Sequence, residues 1–208
     1  MTGVQTCALP ILISLLCYNI TSILKARVIL TNYLSYFFNI FFVIIIRMIN
    51  VLFLCTHNSA RSIVAEVLLN TLSKGKFTAY SAGSSPKTEI NPIARQIAEE
   101  MRYDTKKLYS KSWDEFAKPN SPKMHIVITV CDSAAKEMCP IWPGHPLQVH
   151  WGFKDPSALG GDKEEKRKAF DELINTLKPK IEKLIRLPVA TMDTVNLKFK
   201  LREIYHND

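Results

Sequence analysis

Four short apolar runs, at residues 49–54, 77–81, 126–130 and 147–151, alternate with stretches whose apolar residues recur at helical spacing. That alternation constrains the chain more than any other feature. Ile63, Val64, Val67, Leu68 and Leu72 define an apolar face over 62–73, and Lys74-Gly75-Lys76 stops it as glycine near a helix end does. Asn91-Pro92 reads as an N-cap with proline at the first helical position, opening a helix to about 101. Ser112 and Glu115 have capping-box spacing for a further short helix. Residues 162–187 predict a long amphipathic helix bent at Pro179, and 195–205 a short one in the tail. Strands separated by helices in this way predict a three-layer α/β fold, a four-stranded parallel sheet flanked by helices. Ligands of such sheets sit outside the carboxyl ends of the strands.

Charge divides the chain sharply. Residues 1–47 hold two apolar runs and no acid, whereas all 19 acidic residues and all but three of the 27 Lys and Arg follow. The first segment has no basic n-region and no small-residue cleavage site, so it is not read as a secretory signal. Its Ile, Leu, Phe, Tyr and Asn alphabet, and the opening Thr2–Pro10, resemble translated noncoding and adapter sequence ahead of Met48. A membrane segment is the alternative, and the only reason to expect a membrane partner. Three regions follow: an extension at 1–47, a domain at 48–187 and a tail at 188–208. The acids interspersed after residue 47 leave a mildly basic surface with no nucleic-acid stripe, better suited to a small anion. Five cysteines, odd and thinly spread, make no disulfide framework and point to cytoplasmic thiol chemistry.

The informative stretch is Cys55-Thr56-His57-Asn58-Ser59-Ala60-Arg61-Ser62, between a strand end and a helix start. A loop curling into a helix N-terminus aims backbone N–H groups at one point, where the dipole also favours negative charge. A tetrahedral oxyanion fills such a cradle, and Arg61 can grip two of its oxygens with a planar fork. The same groups predict a Cys55 that is largely thiolate. Ser62 can donate to that sulfur, and Asn58 suits a left-handed turn position. Trp113, Trp142 and Trp151 read as packing residues. His125, His145 and His150 have no metal-ligand spacing with cysteine, so no metal is expected.

The region from Met48 to about Arg186 resembles the low-molecular-weight tyrosine phosphatase family, and particularly its arsenate reductase branch. The loop matches Cys-x5-Arg-Ser, Tyr80-Ser81-Ala82-Gly83 the second strand, and His150-Trp151-Gly152-Phe153-Lys154-Asp155-Pro156 the reductases' His-Trp-Gly-x-x-Asp-Pro. His57 stands where glycine is common, and Ala60 where many relatives carry a second cysteine. The resemblance implies no bound cofactor and a relay. Cys55 attacks arsenate while Asp155 protonates the departing oxygen; Cys131 attacks Cys55; Cys139 then carries the disulfide to an external thiol, thioredoxin or glutaredoxin with glutathione. The alternative is a phosphotyrosine phosphatase, for which Cys131 and Cys139 are incidental. The tyrosines phosphatases place beyond Asp-Pro are missing from Ser157-Ala158-Leu159-Gly160-Gly161. Relatives can also hold a monovalent cation near the loop, at positions matching Asn58, Glu66 and Ser81. A regular helix from Cys131 to Cys139 would separate their Cα atoms by about 12 Å. A disulfide needs about 4.4–6.8 Å, so this segment is expected to be loop or to unwind.

Overall fold

The computed structural model describes residues 48–137, 140–158 and 160–207. The expectations for residues 1–47, and for the position and mobility of Cys139, lie outside the described residues. The strands are β1 (Ile49–Cys55), β2 (Phe77–Gly83), β3 (Ile126–Thr129) and β4 (Leu147–His150). They form one parallel sheet in the order β2-β1-β3-β4. The helices are α1 (Arg61–Leu72), α2 (Pro92–Glu100), α3 (Asp132–Lys136), α4 (Lys163–Arg186) and α5 (Thr194–His206). The three-layer parallel architecture read from the sequence is the one found.

β1 lies at the centre and is apolar at successive positions because both its faces are covered. Val51, Phe53 and Cys55 join a core with Ile63 and Val67 of α1 and Phe170 and Leu173 of α4. Leu52 and Leu54, pointing the other way, join Trp113, Phe116, Met124 and Trp142. Each such side chain contributes about 1.5–3 kcal/mol on burial, which an unpaired polar residue at 51–54 would forfeit.

Local signals account for most boundaries. Asn91 Oδ1 accepts from the Ile93 amide at 2.8 Å and Pro92 opens α2. Asp162 and Glu165 form a reciprocal capping box at the start of α4. The helix then runs on through Pro179, with Leu177, Ile181 and Leu184 buried on either side of it. The short helix expected at Ser112 is a single 3₁₀ segment, Trp113–Ala117. Ser112 caps it, but Trp113 and Phe116 bury in the second core and leave no length for an α-helix. The stretch set apart as a tail folds back on the body. Asp193 caps α5 by accepting from Val195 and Asn196, and Leu197, Leu201 and Ile204 are buried. The Trp151 indole at the end of β4 donates to the Leu201 carbonyl at 3.0 Å.

Candidate active site

β1 ends at Cys55 and α1 begins at Arg61, so the intervening loop curls over the carboxyl edge of the sheet. Cys55 is 2% exposed. Its sulfur accepts from the Asn58 amide at 3.2 Å and lies 3.0 Å from Ser62 Oγ. Asn58 Nδ2 donates to that same oxygen at 2.9 Å, which holds the hydroxyl beside the sulfur. Asn58 carries the left-handed backbone expected of it, with φ of 43°. His57 does not, so replacing the common glycine there costs no strain. No side chain caps α1 at Ala60, which leaves the first N–H groups of the helix to the loop.

A neighbouring segment braces the loop from outside. The amides of Ser85, Lys87 and Asn91 donate to the carbonyls of Thr56, His57 and Ser59. Gly83, at the end of β2, lies so close that a Cβ there would fall 2.5 Å from the Thr56 carbonyl and 2.9 Å from the Asn58 amide nitrogen. That approach is the physical reason the Tyr-Ser-Ala-Gly strand ends in glycine.

Arg61 donates to Asp155 Oδ2 at 2.7 Å and to the Phe153 carbonyl at 3.2 Å. Asp155 Oδ1 accepts from the Ser157 amide and hydroxyl. Cys55, His57, Ser59, Ala60, Arg61, Asp155 and Ser157 thus line one small depression. Burial acts to raise the Asp155 pKa, but the Ser157 hydrogen bonds and the charges of Arg61 and His57 outweigh it and hold the carboxyl below its ordinary value.

Cys131 caps α3, where its sulfur accepts from the Ala134 amide at 3.4 Å. It is buried and lies 3.5 Å from Thr56 Oγ1, in the loop that follows Cys55. Parallel pairing explains the meeting: β1 and β3 are neighbours, with Leu54 opposite Thr129.

One expectation is corrected. Burial, and to a lesser degree the neighbouring Cys131, pushes the Cys55 thiol above its ordinary value, against the hydrogen bonds from Ser62 and Asn58 that pull it down, the opposite direction to the one expected.

The sequence reading missed three contributors. The Lys111 amide donates to Asn58 Oδ1 at 2.8 Å, Ser157 fixes Asp155, and the Phe153 carbonyl orients Arg61. Only Ser157 left a signal, as Asp-x-Ser turn spacing. Of the positions matched to a monovalent cation, Asn58 gives its oxygen to the Lys111 amide and Glu66 Oε2 faces the buried Lys111 amine at 3.9 Å, while the buried Ser81 hydroxyl has no hydrogen-bond partner among the described residues.

The family model for "Low molecular weight phosphotyrosine protein phosphatase" matches residues 50–196. The chain belongs to this family. Arsenate reductase from Oceanobacillus iheyensis is 33% identical over 130 residues, 62% of this chain and 90% of that protein. Arsenate reductase from Bacillus subtilis is 36% identical over 130 residues, covering 61% of this chain and 90% of its own. Among solved structures, an arsenate reductase in the phosphate binding state is 27% identical with a TM-score of 0.51, covering 66% of this chain and 97% of that one. Family membership accounts for the loop, the second strand and the Asp-Pro segment together.

Proposed function

We propose that this chain reduces arsenate to arsenite through an intramolecular cysteine relay. The observation that carries the reading is a second buried thiol, Cys131, in contact with the loop of the nucleophile. A phosphatase needs only water for its second step and has no use for it. The names of the curated relatives agree.

Arsenate enters the loop as a dianion and is itself a base that takes the proton of the Cys55 thiol. The thiolate, steadied by Ser62 and the Asn58 amide, attacks arsenic. The oxyanion competes for Arg61 and brings negative charge toward Asp155, which raises the carboxyl's proton affinity. Asp155 thereby takes up a proton from water and passes it to the leaving oxygen, which departs as water. Cys131 attacks Cys55 sulfur; the S–As electron pair stays on arsenic, which leaves as arsenite, reduced by two electrons. The product is a Cys55–Cys131 disulfide. Cys139 attacks Cys131, Cys55 departs as thiolate, and a reductant of thioredoxin or glutaredoxin type restores the Cys131–Cys139 pair. Such a cycle requires the reducing environment of the cytoplasm.

One turnover without reductant, quenched by alkylation and mapped by mass spectrometry, tests the order of steps. The expected sequence is a Cys55–Cys131 disulfide followed by Cys131–Cys139. Arsenite formation with all three thiols still alkylatable would refute the relay.

A further inference from the structure

We infer that Tyr205, on the last helix, is a positioning residue for the loop that carries Asp155. The inference rests on the reading of Asp155 as proton donor. Between the end of β4 and Asp155 the chain has no regular structure, yet the donor carboxyl must be held to a fraction of an ångström. Two successive carbonyls of this loop are held by side chains of two different helices. Tyr205 Oη donates to the Gly152 carbonyl at 3.0 Å, and Arg61 donates to the Phe153 carbonyl at 3.2 Å. Holding both peptide planes restricts the φ and ψ of Phe153 between them, and so where Arg61 meets Asp155.

The fit is close. A Cβ at Gly152 would lie 2.6 Å from Asp132 Oδ1, 3.0 Å from His150 Nε2 and 3.2 Å from Tyr205 Oη. The Tyr205 ring also meets Phe153 edge-on, with centroids 6.3 Å apart. The hydroxyl stands on a firm arm. α5 is tied to β4 by Trp151 and Leu201, and Lys180 of α4 donates to the Tyr205 carbonyl at 3.1 Å. Tyr205 lies beyond residue 196, where the family match ends, so the family motifs do not supply this clamp.

Tyr205→Phe in the full chain keeps the ring and removes the hydroxyl. The expected result is a fall in kcat for arsenate of about fivefold, the equivalent of one neutral hydrogen bond of about 1 kcal/mol. KM stays unchanged and the alkaline limb of the kcat–pH profile moves, a displacement that mere loosening of α5 would not produce. Val195→Ala, at an exposed site on the same helix, leaves both as in wild type. Amide hydrogen exchange speeds up across residues 151–155 in Tyr205→Phe and is unchanged in α4. Wild-type exchange at 151–155, or a kcat and pH profile equal to wild type, would overturn the clamp. A wild-type chain that makes no arsenite refutes the functional reading instead, and the exchange measurement still decides the clamp.

Discussion

Ser62 Oγ lies 3.0 Å from the Cys55 sulfur and accepts from Asn58, so its proton can stabilise the Cys55 thiolate once that forms. Its removal should therefore slow the thiol. Ser62→Ala is expected to lower the alkylation rate of Cys55 at fixed pH by about tenfold, since hydrogen bonds to charged groups contribute about 1.5–3 kcal/mol. Unchanged alkylation would mean that Ser62 does not stabilise the thiolate. The buried thiol also predicts a pH dependence of stability. Its folded pKa is raised above the ordinary 9.0, so the folded state holds the proton more tightly than the unfolded one. That stabilisation is full below 9.0 and is lost as pH rises through the folded value. Urea midpoints of wild type should fall faster in alkali than those of Cys55→Ala; parallel curves would contradict the assignment. Residue type and spacing between a strand and a helix exposed Cys55 and Arg61, and the resemblance of the Asp-Pro segment exposed Asp155. Lys111 stayed hidden because it acts through its backbone amide, from a part of the chain remote in sequence from Asn58.

At the scale of elements, the site is a loop pressed between β2 and the start of α1. Gly83→Ala drives a methyl into backbone that cannot retreat, because the loop's carbonyls are tied to residues 85–91. The expected cost is about 3 kcal/mol in urea unfolding, with weakened phosphate binding by calorimetry. A variant with wild-type phosphate affinity would show that the loop adapts. The strands, α1 and α4 were legible from the spacing of their apolar residues, and α2 from its Asn91-Pro92 cap. The 3₁₀ segment at Trp113–Ala117 was not, because burial of Trp113 and Phe116 overrides a capping signal that Ser112 does supply. α5 was seen as a helix, but its docking was not. The bonds that hold it, from Trp151 to the Leu201 carbonyl and from Tyr205 to the Gly152 carbonyl, run between side chains and remote backbone and leave no pattern in sequence.

Across the whole molecule, the two cores on either side of β1 hold the sheet edge that carries Cys55 and Cys131. Phe53, fully buried, and Phe199, 65% exposed, separate core from surface. Phe53→Ala should destabilise by about 3–5 kcal/mol in urea unfolding. Phe199→Ala should stay within about 0.5 kcal/mol, and equal losses would misplace the core. The relay itself is tested most directly by steady-state turnover of Cys131→Ser, with thioredoxin, its reductase and NADPH supplied. Multiple-turnover arsenite production should vanish while hydrolysis of an aryl phosphate, which needs Cys55 but not Cys131, persists. Arsenite production continuing at the wild-type rate in Cys131→Ser would contradict the account.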